Sequence, residues 1–148
     1  MSVDEKVTTD LIETVEDGKE GFAKGADKLQ GTADPALSAT FRRFSEQRAG
    51  FSAELRGIAR QYGDKIDQGG SVAGTLHRGW MSLKDALSGS DPDGVLKAAA
   101  QGEEHAVKEY DNALASDISP ELRTINERQA AQVRAAQAEV QALHQAKK

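Results

Sequence analysis

The chain has 148 residues, 38% of them apolar, with 19 basic against 24 acidic side chains and no cysteine. That length suffices for one domain with a real core, and the lack of cysteine excludes a disulfide framework, thiol catalysis and a thiolate metal site. A net charge of −5 with both signs interspersed lacks the basic footprint that nucleic-acid binding requires.

Ala, Leu, Glu, Lys, Gln and Arg dominate, while β-branched and aromatic residues are sparse, a composition that predicts an all-α protein. The opening residues MSVDEKVTTD carry neither the basic nor the apolar region of a signal peptide. No apolar run approaches the roughly 18–20 residues of a transmembrane helix. The expectation is a single domain over 1–148, soluble and cytoplasmic, with no membrane or nucleic-acid partner.

The first helix is predicted over 4–29, with Val7, Leu11, Val15, Phe22, Ala26 and Leu29 on one stripe at helical spacing. Gly18 and Gly25 share that stripe and Gly21 lies beside it, an arrangement expected to let another helix approach closely. Glu13, Glu16, Asp17 and Glu20 are read as the solvated face. After a short loop, Asp34-Pro35 gives a cap followed by proline at the first helical position. It opens a helix over 35–62 whose stripe is Leu37, Phe41, Phe44, Phe51, Leu55, Ile58 and Tyr62.

Residues 64–71 are loop-like, and a crossover helix is predicted over 71–87 with Val72, Leu76, Trp80, Leu83 and Leu87 on one face. Asp91-Pro92 and Ser119-Pro120 repeat the start signal for helices over 92–115 and 120–146. The last of these turns Leu122, Ile125, Val133, Ala136, Val140 and Leu143 inward. Short first and last connections make two antiparallel hairpins. The long middle connection, with a helix of its own, suits a ferritin-like crossover.

Three polar residues interrupt the stripes: Arg48 in the second bundle helix, Glu103 in the third and Gln129 in the fourth. Each sits near the middle of its helix, so antiparallel packing brings them to one level. A carboxylate inside an apolar stripe needs a partner, a metal or a proton. The Arg48 fork can hold Glu103 in two places, and Gln129 and Tyr110 can meet remaining hydrogen-bonding needs. The metal alternative fares worse. Ferritin-like di-iron sites take a Glu from each of two helices and Glu-x-x-His from each of the other two. The residues three before His77, His105 and His144 are Gly74, Gly102 and Gln141. His105 is read as facing away from the stripe, and paired with Glu109 at the surface. No metal or other cofactor is therefore expected. His77 and Trp80 mark a candidate pocket between the crossover helix and the bundle.

With these residues placed, the chain resembles a bacterial family of four-helix-bundle proteins in the ferritin-like superfamily, carried as a domain of unknown function. The stretches that carry the resemblance are LIETVEDGKEGF at 11–22, FSAEL at 51–55, GTLHRGW at 74–80, GEEHAVKEY at 102–110 and Glu127-Arg-Gln129. Glu103 and Tyr110 are spaced as in ferritin-type helices. The resemblance implies the ferritin-like fold and brings no activity with it. The expected role is a non-catalytic structural, binding or stress-associated one, with a buried polar cluster where a di-iron site would be. Self-association is expected too, with Trp80 and Met81 as a candidate surface. The alternatives are a divergent metal-binding oxidoreductase using inward carboxylates, and a small-ligand carrier.

Overall fold

A computed structural model describes residues 2–31, 35–62, 78–89 and 92–146. These described residues form five α-helices: α1 Val3–Leu29, α2 Pro35–Ala59, α3 Met81–Ser88, α4 Pro92–Ala115 and α5 Pro120–Ala146. Single 3-10 turns at Arg60–Tyr62 and Arg78–Trp80 follow α2 and precede α3. No strand occurs among the described residues.

The helix starts follow local chemistry. Ser2 caps α1, its Oγ accepting from the Glu5 backbone N–H at 3.1 Å, which satisfies a donor left without an intrahelical partner. Ser119 does the same for Leu122 at 3.3 Å ahead of Pro120. The Arg123 guanidinium donates to the carbonyls of Leu114 and Ser116 at 2.8 and 2.9 Å, closing the turn between α4 and α5.

The helices α1, α2, α4 and α5 form a bundle in which neighbours run antiparallel. Ser38 Oγ donates to the Ala26 carbonyl and Ser45 Oγ to the Lys19 carbonyl, fastening α2 to α1. Near the start of α1, Val7 and Leu11 share a cleft with Ala113 at the end of α4. Beyond its middle, α1 places Gly25 beside Val95 at the start of α4. Pairs from Arg43 to Glu139 and from Arg128 to Glu54 link α2 to α5 along their outer edges. His144 and Asp93 pair the end of α5 with the start of α4 at 3.0 Å.

The core divides into two clusters. One end packs Leu11, Ile12, Val15, Phe51, Leu55, Tyr110, Leu122 and Val133. The other packs Phe22, Phe41, Phe44, Trp80, Leu83, Leu96 and Val140. On α2 the boundary falls between Phe44 and Phe51, and on α4 between Ala99 and Ala106, so Arg48 and Glu103 lie where the clusters meet.

Several expectations change. The described part of the crossover is one 3-10 turn and the eight-residue α3. The predicted stretch 71–77, with His77, lies outside the described residues. Asp17, read as solvated, is buried at 2% exposure, because the α1 face that carries Gly21 turns toward Trp80 rather than toward water. Trp80 is itself 2% exposed and so presents no surface for self-association. Its neighbour Met81 is 60% exposed.

The α1 glycines also have a different role from the one expected. They make room for side chains, not for a helix backbone. A Cβ at Gly18 would lie 3.2 Å from Arg48 Nη1, and one at Gly25 2.8 Å from the Phe41 ring. Trp80 sits in a slot between α1 and α4, where a Cβ on Gly21 or on Gly102 would come within 2.2 Å of its ring carbons.

Candidate functional site

The midplane is built from three helices. Arg48 comes from α2, Glu103 from α4, and Gly18 of α1 leaves the space that the guanidinium fills. Arg48 Nη1 donates to Glu103 Oε1 and Nη2 to Oε2, both at 2.6 Å. The two side chains are 1% and 0% exposed. A third donor, Nε, reaches Gln47 Oε1 at 3.2 Å. The guanidinium carbon also lies 5.4 Å from the centre of the Phe22 ring, within cation–π range. Phe22 in turn meets Phe41, Phe44 and Trp80 at centroid distances of 5.2, 5.2 and 4.9 Å.

A fork-to-fork pair of this kind is short and strong, and burial removes the water that would otherwise screen it. Desolvating two charges consumes most of the gain. The sharper consequence is asymmetric: removing either partner strands the other in a medium that cannot solvate it.

The four residues expected as one cluster fall into two hydrogen-bonded groups. Arg48 and Glu103 form the first. In the second, the Tyr110 hydroxyl donates to Gln129 Oε1 at 2.6 Å, and Gln129 Nε2 donates to Glu54 Oε1 at 2.8 Å. Glu54 also pairs with Arg128. Gln129 thus lies nearer the start of α5 than the level of Arg48, which falls between the Glu54–Arg128 and Arg43–Glu139 links, and instead joins the buried phenol to the half-buried Glu54 carboxylate. Burial pushes the Tyr110 phenol well above its ordinary 10.0; nearby Arg48 pulls it down, and Glu54 and Glu103 push it further up. Partial burial favours the neutral form of Glu54, but the hydrogen bonds from Arg128 and Gln129 outweigh it and hold the carboxyl below its ordinary value. Glu16 follows the same logic: burial raises it, while Ser52, Lys19 and Arg56 bring the net shift below the ordinary value.

Sequence patterning missed Glu54 as the partner of Gln129, and missed the burial of Thr8, Asp17 and Asn126. A signal existed for Asn126, which is four residues from both Leu122 and Ala130, each of them buried. Ile125, assigned inward, is only partly buried. His105 is half-buried, with Gly79 against its Cβ, and so is not the open surface residue expected. Trp80 fills the space between α1 and α4 rather than lining a pocket there.

The model for the domain of unknown function DUF2383 matches residues 5–117. The chain belongs to the DUF2383 family. The match takes in α1 to α4 with the Arg48–Glu103 pair and ends before α5. None of the curated proteins matches the chain. A solved structure from Thermotoga maritima, described as a candidate ferritin-like diiron-carboxylate protein, superposes with a TM-score of 0.76 at 14% identity, over 100% of this chain and 97% of that one. A hypothetical protein of Pyrococcus furiosus superposes with a TM-score of 0.70 at 17% identity, over 98% and 89%. At such identities the likeness is one of fold: the family member is a ferritin-like helical bundle.

That fold raises the question of a di-iron centre, which the donor set answers poorly. At the midplane α4 offers Glu103, but both its oxygens are taken by an arginine. The facing positions on α1 and α2 are Gly18 and Arg48. Among the described residues no group of three or more His, Cys, Asp or Glu is disposed to hold a metal ion. A guanidinium in contact with the carboxylate is also an electrostatic obstacle to a cation. The residues present do not fit the group.

Proposed function

We propose that this DUF2383 protein is a non-catalytic ferritin-like bundle, acting as a structural or binding scaffold, in which an arginine–carboxylate pair stands where relatives of the fold place metal. The observation that carries this reading is the bidentate Arg48–Glu103 pair, 2.6 Å at both contacts and sealed from solvent. Both carboxylate oxygens are held by the guanidinium and shut away from solvent, an arrangement that disfavours general-base work or a ligand bond by Glu103. A role in stress physiology accompanies this reading, as does self-association, for which the exposed Met81 of the crossover offers a surface. No helix among the described residues is long and apolar enough to cross a membrane, which suits a cytoplasmic location.

The diiron-carboxylate description of the Thermotoga maritima neighbour supplies the competing reading, a divergent metal oxidoreductase. Metal analysis of protein expressed in iron- and manganese-supplemented medium separates the two. The scaffold reading predicts substoichiometric metal, equal in the wild type and in Glu103→Gln. Near-stoichiometric metal that disappears in Glu103→Gln overturns it.

A further inference from the structure

Two polar side chains in the Leu11–Leu55–Tyr110 half of the core have no hydrogen-bond partner among the described residues. They are Thr8, through its Oγ1, and Asn126, through both its Oδ1 and its Nδ2. Both residues are 0% exposed. An isolated buried amide or hydroxyl is costly, and native proteins satisfy nearly all such groups with protein or with ordered water.

The two residues lie at one level of the bundle. Asp4 Oδ1 accepts from the Ser119 backbone N–H at 3.0 Å, so α1 and α5 begin at the same end. Each runs antiparallel to α4, and they are therefore parallel to one another. Thr8 is four residues beyond Asp4 and Asn126 seven beyond Ser119. At about 1.5 Å per residue their axial positions differ by less than one turn. The groups are also chemically complementary to one kind of guest. Asn126 offers a donor and an acceptor, Thr8 a hydroxyl that can do either, and neither carries charge. The site suits a small neutral molecule that donates and accepts at once, and repels ions, which would lack a counter-charge there.

We infer that Thr8 and Asn126 form an internal hydration site, binding one or two water molecules that bridge α1 and α5 across the core. The inference is independent of the scaffold reading and would hold in a metal-bound bundle as well. Buried waters typically make about three hydrogen bonds to protein, a number that the amide and the hydroxyl supply together.

The test combines water-to-protein NOE spectroscopy on the intact chain with a double-mutant cycle of Thr8→Val and Asn126→Leu. A bound water gives NOEs from long-lived solvent to the Thr8 and Asn126 side chains in the wild type. It also makes Thr8→Val melt below the wild type, because the shared water loses a partner. The double variant then melts at or above Thr8→Val alone, since the other dependent group has gone too. A dry site gives no such NOEs and reverses the first sign: removing an orphaned hydroxyl raises the melting temperature. Either the missing NOEs or a Thr8→Val variant more stable than the wild type overturns the inference.

Discussion

The two halves of the core sit on either side of one ion pair and solve the packing problem differently. The Phe22 half is aromatic and closely fitted. Phe22 touches three other rings, Trp80 lies between two glycines, and Phe41 presses on a third. The Leu11 half is mainly aliphatic and interrupted by polar groups: Tyr110 hydrogen-bonded to Gln129, and the amide of Asn126, which has no hydrogen-bond partner among the described residues. The first half gains specificity from shape, since interiors at crystal-like density tolerate little change in volume. The second holds its register through hydrogen bonds, which are costly to leave unmade. Arg48 and Glu103 belong to neither and tie the two together at the midplane.

Perturbing the midplane should have the largest effect. Arg48→Met leaves Glu103 buried without its partner, and a loss of about 3–5 kcal/mol is expected, read from denaturant unfolding. Next comes the aromatic half. Trp80→Ala removes the ring that fills the slot between Gly21 and Gly102, with an expected loss of about 3–5 kcal/mol. Trp80 is the only tryptophan in the chain, so its fluorescence also reports whether α3 stays docked. Gly102→Ala reaches the same slot from the other side. A Cβ 2.2 Å from the indole cannot be accommodated without moving it, and about 1–3 kcal/mol should be lost through overpacking. A Gly102→Ala protein as stable as the wild type would mean that the slot is looser than this fit implies.

The polar half is probed by pH. The Tyr110 phenol has a folded pKa above its unfolded value, so its contribution is complete below about pH 10 and is lost as pH rises toward the folded value. Stability should therefore decline above pH 10, and Tyr110→Phe should flatten that decline while losing about 1 kcal/mol at neutral pH with the hydrogen bond. Glu54 has the opposite sign. Its folded pKa lies below the ordinary 4.5, so its contribution is present above that pH and fades as pH falls below it. Glu54→Gln should remove this small acid-side dependence and cost under about 1 kcal/mol at neutral pH, because its arginine partner is largely solvated.

The periodic features were legible in the sequence. Proline-led helix starts, apolar stripes and one long connection lead to the bundle, and the three polar interruptions pointed to Arg48, Glu103 and Gln129. What was not legible depends on how faces turn toward one another. Asp17 looks solvent-facing by residue type, and only the packing of neighbouring helices buries it, whereas the burial of Asn126 is legible in its spacing from Leu122 and Ala130 but masked by its polarity. Coinciding helix midpoints would set Gln129 level with Arg48; its actual partners, Tyr110 and Glu54, follow from the stagger of α5 against α2 and α4. The glycines of α1 signalled a close approach but not what approaches, which proved to be Arg48, Trp80 and Phe41.

The pairing of Arg48 with Glu103 joins the two halves of the core, and a double-mutant cycle tests it directly. Arg48→Met, Glu103→Gln and the double variant are compared with the wild type by chemical denaturation at neutral pH. The prediction is strong non-additivity, with the double variant more stable than Arg48→Met alone because no carboxylate is left stranded. Additive losses, with the double variant less stable than either single one, would contradict the account.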